Sequence, residues 1–333
     1  MRPFTYHAAT TVDDAARRLA TPGAMPLGGG TDLLVTVKEG LARPDALVDL
    51  RRAGGEAAAR EIRELPGGGL RLGAATRIAD VAAHATVRER FPALAEAAAS
   101  VGTYALRAMG TIGGNLCQRP RCWYFRRGIP CLKNGGDSCP ARDGENQYHA
   151  ILGGGPCWIV HPSDPAVALT ALDASVEIVS AAGGTRRLPI AEFYVLPAER
   201  LDRETVLADG EFVSAVEIPA AAAGGVQRWF KVMQRGAWDF ALVSLAAVRR
   251  TDGEVRLVLG GVAPRPYRLY GSIEEDVSVG NLDEADVETL AARALYDAEP
   301  LAKNGYKVHV AESLLRRAIR ELWRDDADAG APP

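Results

Sequence analysis

The chain has 333 residues and a mass of 35.4 kDa, which is long for one ordinary core and predicts two or three domains. A composition of 47% hydrophobic and 24% charged residues excludes a disordered chain, and a net charge of −3 with a pI near 6.0 excludes a general affinity for nucleic acid or anionic membrane. There is no aromatic ladder, no apolar h-region at the N-terminus and no apolar run of about 18 residues, so the chain is expected in the cytoplasm by its own sequence.

In chain order, Thr10 or Thr11 predicts the cap of a helix through VDDAARRLA, with Asp13 and Asp14 in its first turn. A strand through Met25–Leu27 runs into Gly28-Gly29-Gly30, and Thr31-Asp32 is expected to cap a helix through LLVTVKEG. A strand at Ala46–Leu50 follows, then a glycine-rich crossing at 53–69, a strand in LRLGAAT, and one long Ala-rich helical region from Ile78 to about Val101. A second glycine turn, TIGGN at 111–115, leads into a polar loop. Beyond the loop, Cys157–Val160 reads as a strand and Asp164-Pro165 opens a helix; strands are expected at Ser175–Ser180 and Phe212–Ile218. Pro219 and AAAAGG form a linker to a last unit with strands at Trp229–Gln234, Phe240–Val248 and Glu254–Leu259 and helices near 283–297 and 307–323; the tail is expected to be disordered.

All five cysteines fall in the polar loop and its exit, as Cys117, Cys122, Cys131, Cys139 and Cys157, spaced C-x4-C-x8-C-x7-C-x17-C. An odd number cannot pair fully within the chain, and clustered thiols in a reducing compartment serve metals or catalysis more often than disulfides. Four thiolates suit zinc or an iron–sulfur cluster. Structural zinc favours short C-x2–4-C knuckles, which only Cys117/Cys122 approach, whereas a [4Fe–4S] cube tolerates wide spacing. Arg119, Arg121, Arg126, Arg127 and Lys133 would offset the negative charge of such a cluster. Each glycine turn can bring backbone N–H groups against an anion, and two in one chain fit a ligand with two phosphates; neither matches a Rossmann or P-loop pattern.

The ordered set LGGGTDLL, TIGGN, HPSD, FKVMQRGAWDFALVSLAAV and LGGVAPRP, from about residue 4 to 322, resembles the FAD-binding subunits of the molybdenum hydroxylase (xanthine dehydrogenase) family. The cysteine insert after TIGGN resembles the subgroup whose flavin subunit carries an extra [4Fe–4S] cluster, as in bacterial aldehyde oxidoreductases and 4-hydroxybenzoyl-CoA reductase. The resemblance implies an α+β protein: a two-subdomain FAD-binding fold of the vanillyl-alcohol oxidase type at 1–55 and 56–222, with the iron–sulfur loop at 117–157. A small C-terminal α+β domain with a three-stranded sheet and helices follows at 223–325, and a disordered tail at 326–333. It further implies that Pro26, Leu27, Gly28, Gly29, Gly30, Thr31, Asp32, Leu33 and Leu34 bind the FAD pyrophosphate. Thr111, Ile112, Gly113, Gly114 and Asn115 would hold the phosphates and ribityl chain, with Ile112 near the isoalloxazine. Asp164 would bond flavin-side hydroxyls with Ser163 beside it, Val213 would touch the cofactor, and Lys231 would stand near the ring, where a cation favours reduced flavin. Cys122, Cys131, Cys139 and Cys157 are the implied cluster ligands, and Cys117 is the spare thiol.

By the same resemblance no residue here is catalytic towards the organic substrate, and His84, His149 and His161 are expected to be structural. The implied partners are a small subunit with two [2Fe–2S] clusters, a large molybdopterin subunit that oxidises an aldehyde, and an external electron acceptor: a quinone, a small redox protein or oxygen. No nucleic acid or membrane partner is expected, and a partner with an export signal would carry the chain to the periplasm. Alternative readings are the flavin subunit of a hydroxybenzoyl-CoA reductase or xanthine dehydrogenase-like enzyme, a stand-alone flavin oxidase of vanillyl-alcohol type, and a zinc-binding scaffold.

Overall fold

The computed structural model describes residues 2–180 and 184–329. Three sheets follow one another along the chain. The first interleaves β1 (Thr5–Ala8), α1 (Val12–Leu19), β2 (Ala24–Leu27), α2 (Leu33–Lys38) and β3 (Ala46–Asp49). Its strands are parallel in the order β1-β3-β2, so each connection must cross over, and α1 and α2 are the crossovers. Thr11 is the α1 cap, its Oγ1 accepting from the Asp14 amide at 3.0 Å. The glycine turn leaves the carboxyl end of β2, where sheets of this kind hold ligands.

The second unit carries α3 (Glu56–Ala59), β4 (Ile62–Glu64) and β5 (Leu70–Gly73), then α4 (Ile78–Ala83), α5 (Ala85–Arg90), α6 (Pro92–Ala99), α7 (Tyr104–Met109), α8 (Ile112–Leu116) and α9 (Trp123–Arg126). After the cysteine loop come α10 (Asp164–Ala171), β6 (Ser175–Val179), β7 (Thr185–Pro189) and β8 (Phe212–Ile218). The five strands form an antiparallel sheet in the order β4-β5-β8-β6-β7. Leu72, Val176 and Val216 of this sheet share one buried core with Leu94 of α6 and Leu169 of α10, and all five are fully buried. A bulge after Glu177 makes Val213 face Ile178 and leaves Ser214 outside the ladder; the freed Ser214 carbonyl accepts from Ala74.

The third unit is an antiparallel sheet of β9 (Val226–Val232), β10 (Val243–Arg249), β11 (Val255–Gly260) and β12 (Tyr267–Arg268) with α11 (Gly271–Ser278), α12 (Glu284–Arg293) and α13 (Tyr306–Ala329). The expected three strands are present, and two-residue β12 adds a fourth at the edge.

Several sequence expectations change. The Ala-rich region is three helices, because His84 is extended and Pro92 forces Phe91 out of the helical region. Cys157–Val160 forms no ladder; Pro156 and Pro162 flank it and supply no N–H, and only isolated bonds tie it down, such as His161 N to Ala263 O. The 53–69 crossing contains α3 and β4. The expected disordered tail is helical to Ala329, since RDDADA contains no breaker before Gly330; residues 330–333 lie outside the described residues. No described helix is long and apolar enough to cross a membrane.

Candidate functional site

Gly28–Asp32 joins β2 to α2 and lies directly on the segment that precedes α8. A Cβ on Gly29 would stand 1.9 Å from the Met109 carbonyl oxygen, and one on Gly28 2.6 Å from Thr111 Oγ1. Gly30 has φ +73°, a left-handed value that favours glycine. The amides of Gly29, Gly30 and Thr31 donate to no acceptor among the described residues. Consecutive free N–H groups on a chain without Cβ atoms make a nest for an anion. The nest borders a cavity of about 200 Å³ that also takes in Pro26, Asp32 and Leu33. It continues into one of about 390 Å³ through shared Pro26, Gly28, Thr111, Gly114 and Cys117. Gly113 and Val213 line the second part, where Val12, Leu50 and Leu207 make an apolar wall.

Asp32 does not cap α2 through its side chain. Its carboxylate instead accepts from the Arg119 amide and from the guanidiniums of Arg121 and Arg126, each at 2.7 Å. An aspartate beside an anion nest would repel the anion; two guanidiniums offset that charge and tie the nest to the cysteine loop.

The second glycine turn works differently from the expectation. The amides of Ile112, Gly113, Gly114 and Asn115 are all taken by protein: Thr76 O, Ala74 O, Thr111 Oγ1 and Thr111 O. It therefore offers a surface without Cβ atoms rather than free donors, and a Cβ on Gly113 would already touch Ala74 Cβ at 2.8 Å. Ile112 is fully buried in the core and, like Leu27 and Leu34, lines neither part of the groove. Asn115 Oδ1 accepts from Ser163 Oγ at 2.5 Å, which links this turn to a further cavity.

That cavity, about 390 Å³, is lined by Ser163, Asp164, Arg121, Phe240, Cys122 and His149 among others. Ser163 caps α10, accepting from Ala166 at 3.1 Å, and so holds Asp164 in place. Asp164 is 6% exposed; burial pushes its pKa up, opposed by Lys231, whose Nζ donates to Oδ2 at 2.8 Å. Lys231 also donates to Ser100 O at 2.9 Å and does not line the cavity. Burial lowers the Arg121 pKa to about 10. Most of the residues implied for a flavin thus line either the groove or this chamber, and the two are joined by the Asn115–Ser163 bond and the Asp32–Arg121 pair. Free amides, glycine surfaces, an apolar wall and a second, largely apolar chamber with Ser163, Asp164 and Arg121 on its wall fit a long ligand with a charged group at the nest.

Cys122, Cys131, Cys139 and Cys157 all line one small closed cavity, with Lys133, His149 and Ile159 in its wall. Cys117 is not among them: it lines the groove beside Gly28 and Thr111, and burial pushes its thiol up to about 12. Cys122 caps α9, and tight turns at Cys131 and Cys139, whose carbonyls accept from Asn134 and Arg142, aim the next two inward. A hydrogen bond between Cys139 and Cys157 holds the first below its ordinary range, at about 6, and pushes the second up. Burial raises Cys122. His149 Nε2 lies 3.3 Å from Cys122 Sγ; burial, then Lys307, lowers the His149 pKa to about 4. No three or more described His, Cys, Asp or Glu surround a single ion position. Four soft donors round one void fit a polynuclear thiolate-bound cluster in kind.

The sequence reading missed the strap that holds this loop. Asn304 Nδ2 donates to His149 O and Ala150 O, and Tyr306 OH donates to Gln147 O. Fully buried Lys307 donates to the carbonyls of Tyr148 (2.9 Å), His149 (3.0 Å) and Gly261 (2.7 Å). A lysine at a helix start carries no local signal of such a role.

Residues 2–221 match the family model described as the FAD binding domain in molybdopterin dehydrogenase, and residues 228–322 match the CO dehydrogenase flavoprotein C-terminal domain. The chain is 37% identical over 325 residues to the aldehyde oxidoreductase FAD-binding subunit PaoB of Escherichia coli (strain K12), covering 96% of this chain and 98% of the relative. It is 26% identical over 330 residues to the glyceraldehyde dehydrogenase medium chain of Sulfolobus acidocaldarius, covering 96% and 98%. Among solved structures, a carbon monoxide dehydrogenase from Hydrogenophaga pseudoflava that lacks the Mo-pyranopterin moiety aligns with a TM-score of 0.74 and 25% identity, over 97% of this chain and 99% of that one. Quinoline 2-oxidoreductase from Pseudomonas putida 86 shares the fold, with a TM-score of 0.73 and 24% identity over 97% and 98%. The chain belongs to the molybdenum hydroxylase family of oxidoreductases, as one of its FAD-binding subunits.

Proposed function

We propose that this chain is the FAD- and [4Fe–4S]-carrying subunit of a heterotrimeric, molybdenum-containing aldehyde oxidoreductase. Its partners in this reading are a small subunit with two [2Fe–2S] clusters and a large molybdopterin subunit that selects the aldehyde. The name and 37% identity of the E. coli relative support the aldehyde class. The observation that carries the cluster is the convergence of Cys122, Cys131, Cys139 and Cys157 on one cavity, with Cys117 outside it. FAD, when bound, supplies the redox chemistry that passes electrons from the small subunit to a quinone, a small redox protein or oxygen.

The chain's own part is binding and orientation. Gly29, Gly30 and Thr31 offer free amides to the pyrophosphate, while Gly113, Gly114 and Val213 line the adjoining groove. Ser163 and Asp164 face the second chamber, and Lys231 holds Asp164 from behind. Residues 1–55 and 56–222 are read as the two flavin-binding subdomains and 223–325 as the third domain. The zinc-scaffold reading is disfavoured by the match of residues 2–221 to an FAD binding domain. The vanillyl-alcohol-type oxidase is disfavoured by the match of residues 228–322 to the CO dehydrogenase flavoprotein C-terminal domain.

Metal and flavin analysis of the purified complex tests the proposal. The expected result is one FAD and about four irons per chain beyond those of the small subunit, with flavin peaks on a broad iron–sulfur absorption. A complex with flavin but no added iron, or with zinc in the thiol loop, overturns the cluster assignment.

A further inference from the structure

Asp32 borders the same small cavity as the free amides of the nest, yet its carboxylate is held by the segment that leads into the thiols. Oδ2 accepts from the Arg119 amide and Oδ1 from the guanidiniums of Arg121 and Arg126. The side chains of Asp32 and Arg126 are 15% and 11% exposed, so salt screens the pair far less than it screens a surface ion pair. From Arg126 the connection runs on to two thiol positions. Its amide donates to the Cys122 carbonyl at 2.9 Å. One residue earlier, the Phe125 carbonyl accepts from Asn134 Nδ2 at 2.9 Å, and the Asn134 amide donates to the Cys131 carbonyl at 2.8 Å. Glu204 anchors the same loop from the other side, accepting from Lys133 Nζ at 2.8 Å and pairing with Arg119. The nest and two thiol positions thus share one continuous network of hydrogen bonds, with Asp32 as its link on the nest side.

The charges set the sign of the link. With Arg121 and Arg126 in place, the carboxylate beside the nest is neutralised and an anion is tolerated there. With the loop out of place, Asp32 is an uncompensated negative charge beside that anion. We propose that Asp32 is a positioning residue that couples the two cofactor sites, so that a filled thiol site tightens FAD binding at the nest. By linkage, bound FAD tightens the hold on the cluster to the same degree. The inference rests on the flavin and cluster reading above.

The test is a thermodynamic cycle on the assembled complex, stripped of flavin and retitrated with FAD, with quenching of flavin fluorescence as the readout. The thiol site is filled in one preparation and empty in a Cys131→Ser preparation, as checked by iron content. With Asp32 in place, the empty site is expected to weaken FAD binding about tenfold, within the range usual for coupled sites. In Asp32→Asn the charge is gone, and the filled and empty preparations are expected to bind FAD equally. A merely structural Asp32 would weaken binding without changing that ratio. Equal affinities with Asp32 in place overturn the inference, and so does a tenfold ratio that survives Asp32→Asn. Should either variant fail to assemble, release of the four additional irons from wild type to a chelator decides. Release about tenfold slower with FAD bound than in the flavin-stripped complex supports the coupling, and equal release overturns it. A wild-type complex without FAD, or without iron beyond that of the small subunit, overturns the proposed function itself, which is a distinguishable failure.

Discussion

Gly29→Val is expected to leave the complex folded but to strip it of FAD. The reason is geometric: a Cβ at this position would meet the Met109 carbonyl oxygen at 1.9 Å and Gly110 Cα at 2.8 Å. Both are backbone atoms in the segment that positions Thr111, so no side-chain rotation relieves the clash. The nest must lift off that segment, and the free amides of Gly29, Gly30 and Thr31 lose their common aim. A hydrogen bond to a charged group is worth about 1.5–3 kcal/mol, so losing two costs about 3–6 kcal/mol. At about 1.4 kcal/mol per factor of ten, affinity falls at least about a hundredfold. Gly236→Ala is the control, because a Cβ there meets nothing within 4 Å. Flavin absorbance per chain checks the result; Gly29→Val with wild-type FAD content would remove the nest from the account.

Lys307→Met is expected to free the cysteine loop from the third unit. The ammonium is fully buried and satisfies the carbonyls of Tyr148, His149 and Gly261; methionine matches its length but leaves all three without that donor. A buried acceptor left unsatisfied costs about 1–3 kcal/mol. Burying the ammonium is itself costly, and burial lowers its pKa to about 7, so part of the loss is recovered. A net destabilisation of about 3 kcal/mol remains, a large share of the ~5–15 kcal/mol typical of a folded protein. Urea titration measures it, and limited proteolysis between residues 130 and 150 should become faster than elsewhere. An unchanged urea midpoint with a protected loop would show that the strap carries no load.

Local chemistry made some features legible. Thr10 or Thr11 before VDDAARRLA and Asp164-Pro165 before AVALTA are helix-start patterns; Thr11 is the cap of the first helix, and the second begins at Asp164. The alternating apolar strands of the third unit were equally readable, apart from β12, which has too few residues to show a period. The Ala-rich run from Ile78 hid its breaks because Ala favours helix everywhere; only Pro92 marked one of them. The two glycine turns look alike as strings, yet one leaves its amides free and the other spends them on Thr76, Ala74 and Thr111. That difference depends on which carbonyls the fold brings alongside, which no spacing encodes. For the same reason Asp32 could be read as a cap, although its partners lie in the cysteine loop. The thiols were legible as a group, and their division into four and one became geometric only with the cavity around Cys122, Cys131, Cys139 and Cys157.

That division is the central claim, and iron content in two single-thiol variants tests it most directly. Cys117→Ser should keep about four irons per chain beyond those of the small subunit, with unaltered cluster absorbance, while Cys157→Ser should lose the cluster. Loss of iron in Cys117→Ser with a normal complement in Cys157→Ser would contradict the account.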